Sequence, residues 1–463
     1  MLIRNYDDNH LAKSDLGDQR LDKRAKLISN RLRNKYGQPL SKVFTKSSEL
    51  KRAYEFFANV KTSFAKIVEL SHYQTANRVN NLALILSVGD TTFLDYKKIK
   101  IKREEYGPIG NGGNGLILHS SLAVDPNSGQ PLGLLWSKLW KREHKIKSQK
   151  KRKKSKGFEK KESYKWVEAI KKVPEVLEKV SSNNDQKVLH IFDREGDISE
   201  VFEEAQKHEN CGVLIRAAHN RSLSESEDYL WDYVEKQPVQ FKQEIELPKN
   251  HQRKKRTVTL AIKFYPVKLR SPQRLKSTKS FDIYAVYAEE IEPPEGEEAI
   301  SWMLLTTENV ATDSDALTIL RWYTYRWLIE EYHKILKSGC QVESYRLAGD
   351  SMSVLLGFLT PIAADLLRMT YLNRTQPDSS AETILTPLQI KVLTALSSQT
   401  KTKSKSEPEL GTIAWAIHEI ARLGGYLEHR KKTPIGITVL WRGLLELISL
   451  CEGWELRENF AIK

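Results

Sequence analysis

Two strand-length runs, the mainly apolar Leu82 to Val88 and the sequence Lys187 to Phe192, each open onto an aspartate: Asp90 after Gly89, and Asp193. A short run of this kind marks a strand buried on both faces, so each belongs in the middle of a sheet covered by helices. A carboxylate cannot follow such a run into the core. It must emerge where the strand leaves the sheet, and in open α/β sheets ligand sites form there. If the two strands are neighbours, Asp90 and Asp193 face one crevice.

The rest of the chain supplies further strands and the helices. Leu116 to Ala123 and Leu132 to Trp140 flank the turn sequence Asp125-Pro126-Asn127-Ser128-Gly129 and predict an antiparallel hairpin beside the first strand. Glu162 to Val180 is helix-like. Between 222 and 294 the pattern changes to period-two alternation (Phe241, Gln243, Ile245, Leu247; Val258, Leu260, Ile262, Phe264), which predicts an all-β insertion with Arg253 to Arg256 at a hairpin tip. Trp302 to Thr306 returns to a short strand. A long helix is expected from Asp313 to Lys337, with Asp313 or Ser314 as its cap. Before residue 70 short helices carry Arg20, Arg24, Lys26, Arg31, Arg33 and Lys35, a candidate DNA-contacting module. After a Lys- and Ser-rich linker, 397 to 408, a separate helical unit forms around Trp415, Trp441 and Trp454. The expected division is 1–70, a sheet-bearing unit 71–372 interrupted at about 222–300, and 373–463.

At 463 residues with 40% apolar side chains, the chain has material for two or three packed domains. Lys and Arg number 74 against 59 Asp and Glu, a net charge of +15, which calls for a polyanionic partner such as nucleic acid or an anionic membrane surface. The most apolar stretch, Met352 to Ala364, contains Pro361, meets Asp365, and falls short of the ~20 residues of a membrane span. It reads as a buried core helix. Cys211, Cys340 and Cys451 have neither ligand spacing nor a disulfide framework, and the N-terminus has no secretory pattern, so a reducing cytoplasm is expected. The glycine-rich 110–115 lacks the Gly-Lys-Ser/Thr ending of a phosphate loop, so no nucleotide cofactor is expected.

The expected long helix carries the third carboxylate. At ~100° per residue with Tyr323 at zero, Arg326 falls at ~300°, Glu330 at ~340° and Lys337 at ~320°, one narrow stripe. Leu328, Ile329, Ile335 and Leu336 take the opposite side, which would pack on the sheet. Glu331 lies off the stripe, leaving Glu330 as the preferred ligand. A solvated Arg326–Glu330 pair on an ordinary amphipathic helix is the alternative, but it explains neither aspartate. Asp90, Asp193 and Glu330 together supply the oxygen ligands that two hard divalent cations require. Two such ions roughly 3.5 to 4 Å apart support in-line displacement at phosphorus. Hydrolysis and transfer of a phosphodiester both fit.

Gly89-Asp90-Thr91-Thr92, Asp193-Arg194-Glu195, the spaced set Tyr323, Arg326, Glu330, Lys337, and Ile420 to Gly425 resemble the Tn-five-type members of the insertion-sequence-four family of bacterial DDE transposases over almost the whole chain. The resemblance implies a ribonuclease-H-like mixed sheet with helices, the β insertion, a helical N-terminal end-recognition domain and a helical C-terminal dimerisation domain. It implies two Mg²⁺ ions (Mn²⁺ as substitute), Asp90 and Asp193 sharing one and Asp90 and Glu330 the other. It further implies a homodimer on transposon-end DNA in the bacterial cytoplasm, acting at the nucleoid. The reaction course is nicking, hairpin formation, hairpin opening and strand transfer into target DNA. Tyr323, Arg326 and Lys337 would hold phosphates at the cleaved end, and Arg216 matches an arginine near the DNA.

Lys334 on the same helix and the N-terminal Arg20, Arg24 and Arg31 complete the expected DNA contacts. Trp302, 28 residues before Glu330, matches a position whose indole stacks on a flipped base; as an apolar residue in a strand it also reads as plain core. Trp327 is a weaker candidate for that role. Lys138 to Lys156 holds eleven Lys or Arg residues and reads either as a solvated loop or as a phosphate track. Two other activities remain open: a related nuclease that only cuts, and a non-catalytic DNA-binding subunit that pairs with an active one.

Overall fold

The computed structural model of the chain describes residues 16–100, 103–144, 157–180, 185–247, 256–275, 280–399, 408–427 and 435–461. Among these, ten strands form one sheet. They are β1 (Leu84–Asp95), β2 (Gly107–Gly110), β3 (Gly113–Val124), β4 (Pro131–Trp140), β5 (Lys187–Phe192), β6 (Cys211–Arg216), β7 (Phe241–Leu247), β8 (Arg256–Leu269), β9 (Phe281–Glu290) and β10 (Ser301–Thr306). The spatial order is β2-β3-β1-β5-β6-β10-β9-β8-β7, with β4 on β3. β1, β5 and β6 pair in parallel at the centre, and hairpins extend both sides. This is the mixed, ribonuclease-H-like α/β class expected, with the predicted β3–β4 hairpin beside β1.

Helices precede, cover and follow the sheet: α1 (Gln19–Asn34), α2 (Leu40–Val43), α3 (Ser47–Phe57), α4 (Phe64–Val79), α5 (Tyr164–Glu178), α6 (Ser199–Ala205), α7 (Leu230–Lys236), α8 (Asp313–Thr324), α9 (Trp327–Lys334), α10 (Gly349–Thr375), α11 (Pro387–Gln399), α12 (Ile413–Leu423) and α13 (Ile437–Ala461). Strand alternation divides the central residues between two cores. Leu86, Val88, Leu189 and Ile191 face the core shared with α8, α9 and α10, while Ile85, Val188 and Phe192 face the core under α5 and α6.

The structure corrects several expectations. The insertion is not all-β: β7, β8 and β9 continue the main sheet through β10, but a helix, α7, precedes them, with Leu230 and Val234, one turn apart, buried. Arg253 to Lys255 lie outside the described residues, whereas Arg256 opens β8 and forks onto Glu290. The C-terminal helices are not detached either. Apolar residues of α12 and α13 join the core that holds α8, α9 and α10. The N-terminal helix is fastened there too, through Arg33–Asp365 (2.9 Å), Lys35–Glu452 (3.2 Å) and the Tyr36 hydroxyl donating to the Trp441 carbonyl (3.4 Å). By length and composition, α10 is the one described helix apolar enough to cross a membrane, but most of its apolar window is enclosed by protein. The glycine-rich 110–115 forms the β2–β3 turn, where Asn111 (φ 47°) and Gly112 (φ 71°) take left-handed backbone.

Candidate active site

In the parallel pairing of β1 with β5, Val88 stands opposite Ile191. Two residues further along both strands come Asp90 and Asp193, at one level and on one face. The strands then part. β5 stops at Phe192, and Asp193 caps a short turn, its Oδ1 accepting the Glu195 N–H at 2.9 Å. β1 does not end at Asp90 as expected; it continues to Asp95, because β3 pairs with it residue by residue from Asp90–Ser120 to Asp95–Gly115. The Asp90 side chain stays partly exposed at this level. Its Oδ1 accepts the N–H of Thr91 at 2.7 Å.

The expected long helix is two helices and a π turn. Thr312, not Asp313 or Ser314, caps α8, in a reciprocal box with Asp315. The helix breaks at Tyr325 and Arg326, where the chain lies on the β3–β4 turn: the Trp322 indole N–H donates to the Pro126 carbonyl (3.1 Å), and Tyr325 packs against Gly129. After α9, Ile335–Gly339 form a π turn. A uniform ~100° wheel therefore does not hold across the segment. The apolar side survives, since Leu328, Ile329, Ile335 and Leu336 are all buried. Glu330 is exposed beside Asp90, while Glu331 pairs with Lys334 at 3.8 Å.

Arg326 sits among the carboxylates. Its Nη2 pairs with Glu330 Oε1, and its Nη1 lies 4.0 Å from Asp90 Oδ2. Burial, the Asp193 charge and the Glu330 charge push the Asp90 carboxyl up to about 6, against the Thr91 N–H and Arg326, which pull it down. Burial also raises Asp193. Burial opposes the charge on Arg326, but the Glu330 pair more than compensates and its pKa lies above the ordinary value. Tyr323 is buried next to Arg326, its ring edge-on to Trp302 at 5.7 Å. Arg216 ends β6, donates to the Ser301 carbonyl (3.0 Å) and is lowered by burial and by the neighbouring Arg194. Tyr323 and Arg326 thus stand beside the acids, with Arg216 next to them and Trp302 reached through Tyr323.

Other expected residues sit further out. Lys337 lies half-buried on the π turn, close enough for its charge to act on His333. Trp327 is covered by the Arg374 guanidinium, 5.4 Å from its ring centroid, which commits that face to helix packing. Arg20 and Arg24 line a cleft of about 500 Å³ with Arg52 and Lys61. Arg31 instead pairs with Glu49 across α1 and α3 (3.5 Å). Of the basic segment 138–156, Lys138 pairs with Glu168 and Arg142 forks onto Glu162; 145–156 lie outside the described residues. His119 and His190 are core histidines, yet His190 has no hydrogen-bond partner among the described residues. One site residue was missed. His333, three positions after Glu330 and so on the same helix face, has Nδ1 3.8 Å from Asp90 Oδ2 and is held neutral by burial.

All three acids offer hard oxygen donors, and both aspartates are raised by burial and by a neighbouring acid, Asp90 by Asp193 and Glu330 and Asp193 by Glu195, conditions that a divalent cation relieves. The donor set fits Mg²⁺ or Mn²⁺. As they stand, with Glu330 held by Arg326, no three ligand groups among the described residues are close enough to enclose an ion.

Two family models match the chain. Residues 3–62 match a model described as Transposase DNA-binding, and residues 167–360 match one described as Transposase DDE domain. The second contains Asp193 and Glu330. Asp90 precedes it and joins the other two only through the β1–β5 pairing.

Proposed function

The chain belongs to the DDE transposase family, and from that premise we propose that it is a cut-and-paste enzyme of the insertion-sequence-four, Tn-five type. It binds the ends of its own element as a homodimer, nicks them, closes a hairpin, opens it with water and transfers the 3′-ends into target DNA. The single observation behind this is the meeting of Asp90, Asp193 and Glu330 around Arg326. Two Mg²⁺ ions, with Mn²⁺ as substitute, would be held by those carboxylates and when bound would activate the attacking oxygen and stabilise the leaving one.

The chain's own groups do the positioning. Arg326 is half-buried between Asp90 and Glu330, so its planar fork is already oriented for a phosphate oxygen when Glu330 turns away from it. Arg216 and Arg194 add positive charge on the Tyr323 side, where a transition state at phosphorus is most anionic. Trp302 would receive a base flipped from the duplex, its ring braced edge-on by Tyr323. Arg20 and Arg24, with Arg52 and Lys61, would hold the backbone of the recognised end, each phosphate contact adding to the salt dependence of binding. Three free, buried cysteines suit a reducing bacterial cytoplasm, where the element resides.

The test is a labelled duplex carrying the element's own end, incubated with and without Mg²⁺ and run on a denaturing gel. A metal-dependent nick followed by a hairpin is expected. Nicks with neither a hairpin nor joined products would leave a nuclease that only cuts; a gel shift without cleavage would leave a non-catalytic DNA-binding subunit.

A further inference from the structure

Lys165, in the first turn of α5, is only 8% exposed. A lysine is almost never so buried unless it is paired, because its ammonium loses water and gains nothing. Its Nζ lies 3.1 Å from Glu195 Oε2. Glu195 is the second residue after Asp193, its own side chain is 64% exposed, and its backbone N–H is the donor to Asp193 Oδ1. A continuous run of contacts therefore joins α5 to one of the three acids: ammonium to carboxylate, and the same residue's N–H to Asp193.

The neighbour of Lys165 acts on both strands. The Trp166 ring packs on Phe192, just before Asp193, with centroids 4.8 Å apart. On the other strand a Cβ at Gly89, just before Asp90, would lie 2.7 Å from Phe192 Cε1 and 3.4 Å from Trp166 Cζ3. The absence of a side chain at Gly89 lets the two strands and the indole close up. The start of α5 is itself anchored to the segment after β4 by the Arg142–Glu162 fork (2.6 and 2.7 Å). Trp166 thus sets the spacing beneath the two aspartates, and Lys165 ties down the turn on the Asp193 side.

We propose that Lys165 and Glu195 are a positioning pair that holds Asp193 in its cation-binding orientation, Lys165 acting from beneath the sheet and not on DNA. This rests on the assignment of Asp193 as a metal ligand made above. Removing groups that orient a ligand typically lowers metal affinity roughly 10- to 100-fold, and Glu195 reaches Asp193 through the backbone N–H whose position its own side chain fixes.

The experiment uses the full chain and Mn²⁺ as probe. Mn²⁺ affinity is read by electron paramagnetic resonance without DNA, end-DNA affinity by gel shift in EDTA, and nicking by KM and kcat. Lys165→Met and Glu195→Gln should each weaken Mn²⁺ binding about tenfold and lower kcat, with end-DNA affinity and KM unchanged. Lys165→Arg should recover much of the loss, and the double variant should be little worse than either single one. Glu195→Gln, at an exposed side chain, carries the test if Lys165→Met does not fold. Unchanged Mn²⁺ affinity in Glu195→Gln, or weakened end binding in its place, would overturn the pair's role. A wild-type protein that binds no Mn²⁺ and cuts no DNA would overturn the functional proposal underneath it.

Discussion

The guanidinium of Arg326 lies 4.0 Å from Asp90 while it is paired with Glu330 one helical turn away. One arginine thus faces two acids that come from different elements, β1 and α9. Arg326 stands at the break in the helix, at the start of α9.

Glu330→Ala should leave end binding intact and reduce nicking to the level seen without metal. Glu330 is exposed and packs no core, so the fold should not suffer. A gel shift beside a nicking assay decides it; Mg²⁺-dependent cleavage at the wild-type rate in this variant would sink the assignment. Arg326→Gln should lower kcat roughly 100- to 1000-fold, as for other groups aimed at transition-state charge, measured as single-turnover nicking at saturating end DNA.

Asp90 should make the metal-free protein less stable as pH rises. Its carboxyl titrates at 3.8 as an unperturbed group and at about 6 in the fold. Between those values the folded state binds the extra proton, so this contribution is most favourable below about pH 4, declines as pH rises through 6, and is level above. The penalty at pH 7.5 is on the order of 2 to 3 kcal/mol. Asp90→Asn should therefore raise the melting temperature in EDTA at pH 7.5 and give little gain at pH 4, and Mg²⁺ should narrow the gap between the two proteins at pH 7.5. Equal melting curves for both proteins at every pH would show that Asp90 carries no such strain.

Trp302→Ala should slow hairpin formation more than nicking, since a base–indole stack contributes roughly 1 to 3 kcal/mol. Trp302→Phe should retain most of the rate. Quantifying nicked and hairpin species over time separates the steps, and an unaltered ratio would return Trp302 to the role of a core residue packed on Tyr323.

Asp197 is fully buried, receives the N–H groups of Ala218 and His219 at 2.7 and 3.0 Å, and is bound by Arg221 at 2.6 Å. Asp197→Ala would leave the Arg221 charge without its partner and should cost about 3 to 5 kcal/mol of stability. Urea unfolding of the two proteins measures this. A loss below about 1 kcal/mol would mean that water takes over the contacts.

Much of the sheet could be read from the chain alone. The strands β1 and β5, the β3–β4 hairpin, the apolar side of α9 and the three acids follow from local pattern, because burial imposes a period of two on a strand and of 3.6 on a helix within a few residues of sequence. What local pattern could not carry was decided by partners distant along the chain. β1 runs past Asp90 because β3 pairs with it there. The helix breaks at Tyr325–Arg326 where Trp322 and Tyr325 meet a turn almost two hundred residues earlier. The insertion became part of the main sheet because β9 pairs with β10. His333 beside Asp90 and Lys165 behind Asp193 are likewise contacts between separate elements. Residue types alone determined the surplus of positive charge and set an aspartate after each of two strand-length runs. Only the tertiary structure brought Asp90 level with Asp193 and put Arg326 between Asp90 and Glu330, because strand register and a helix break are set by long-range packing that no short window of sequence contains.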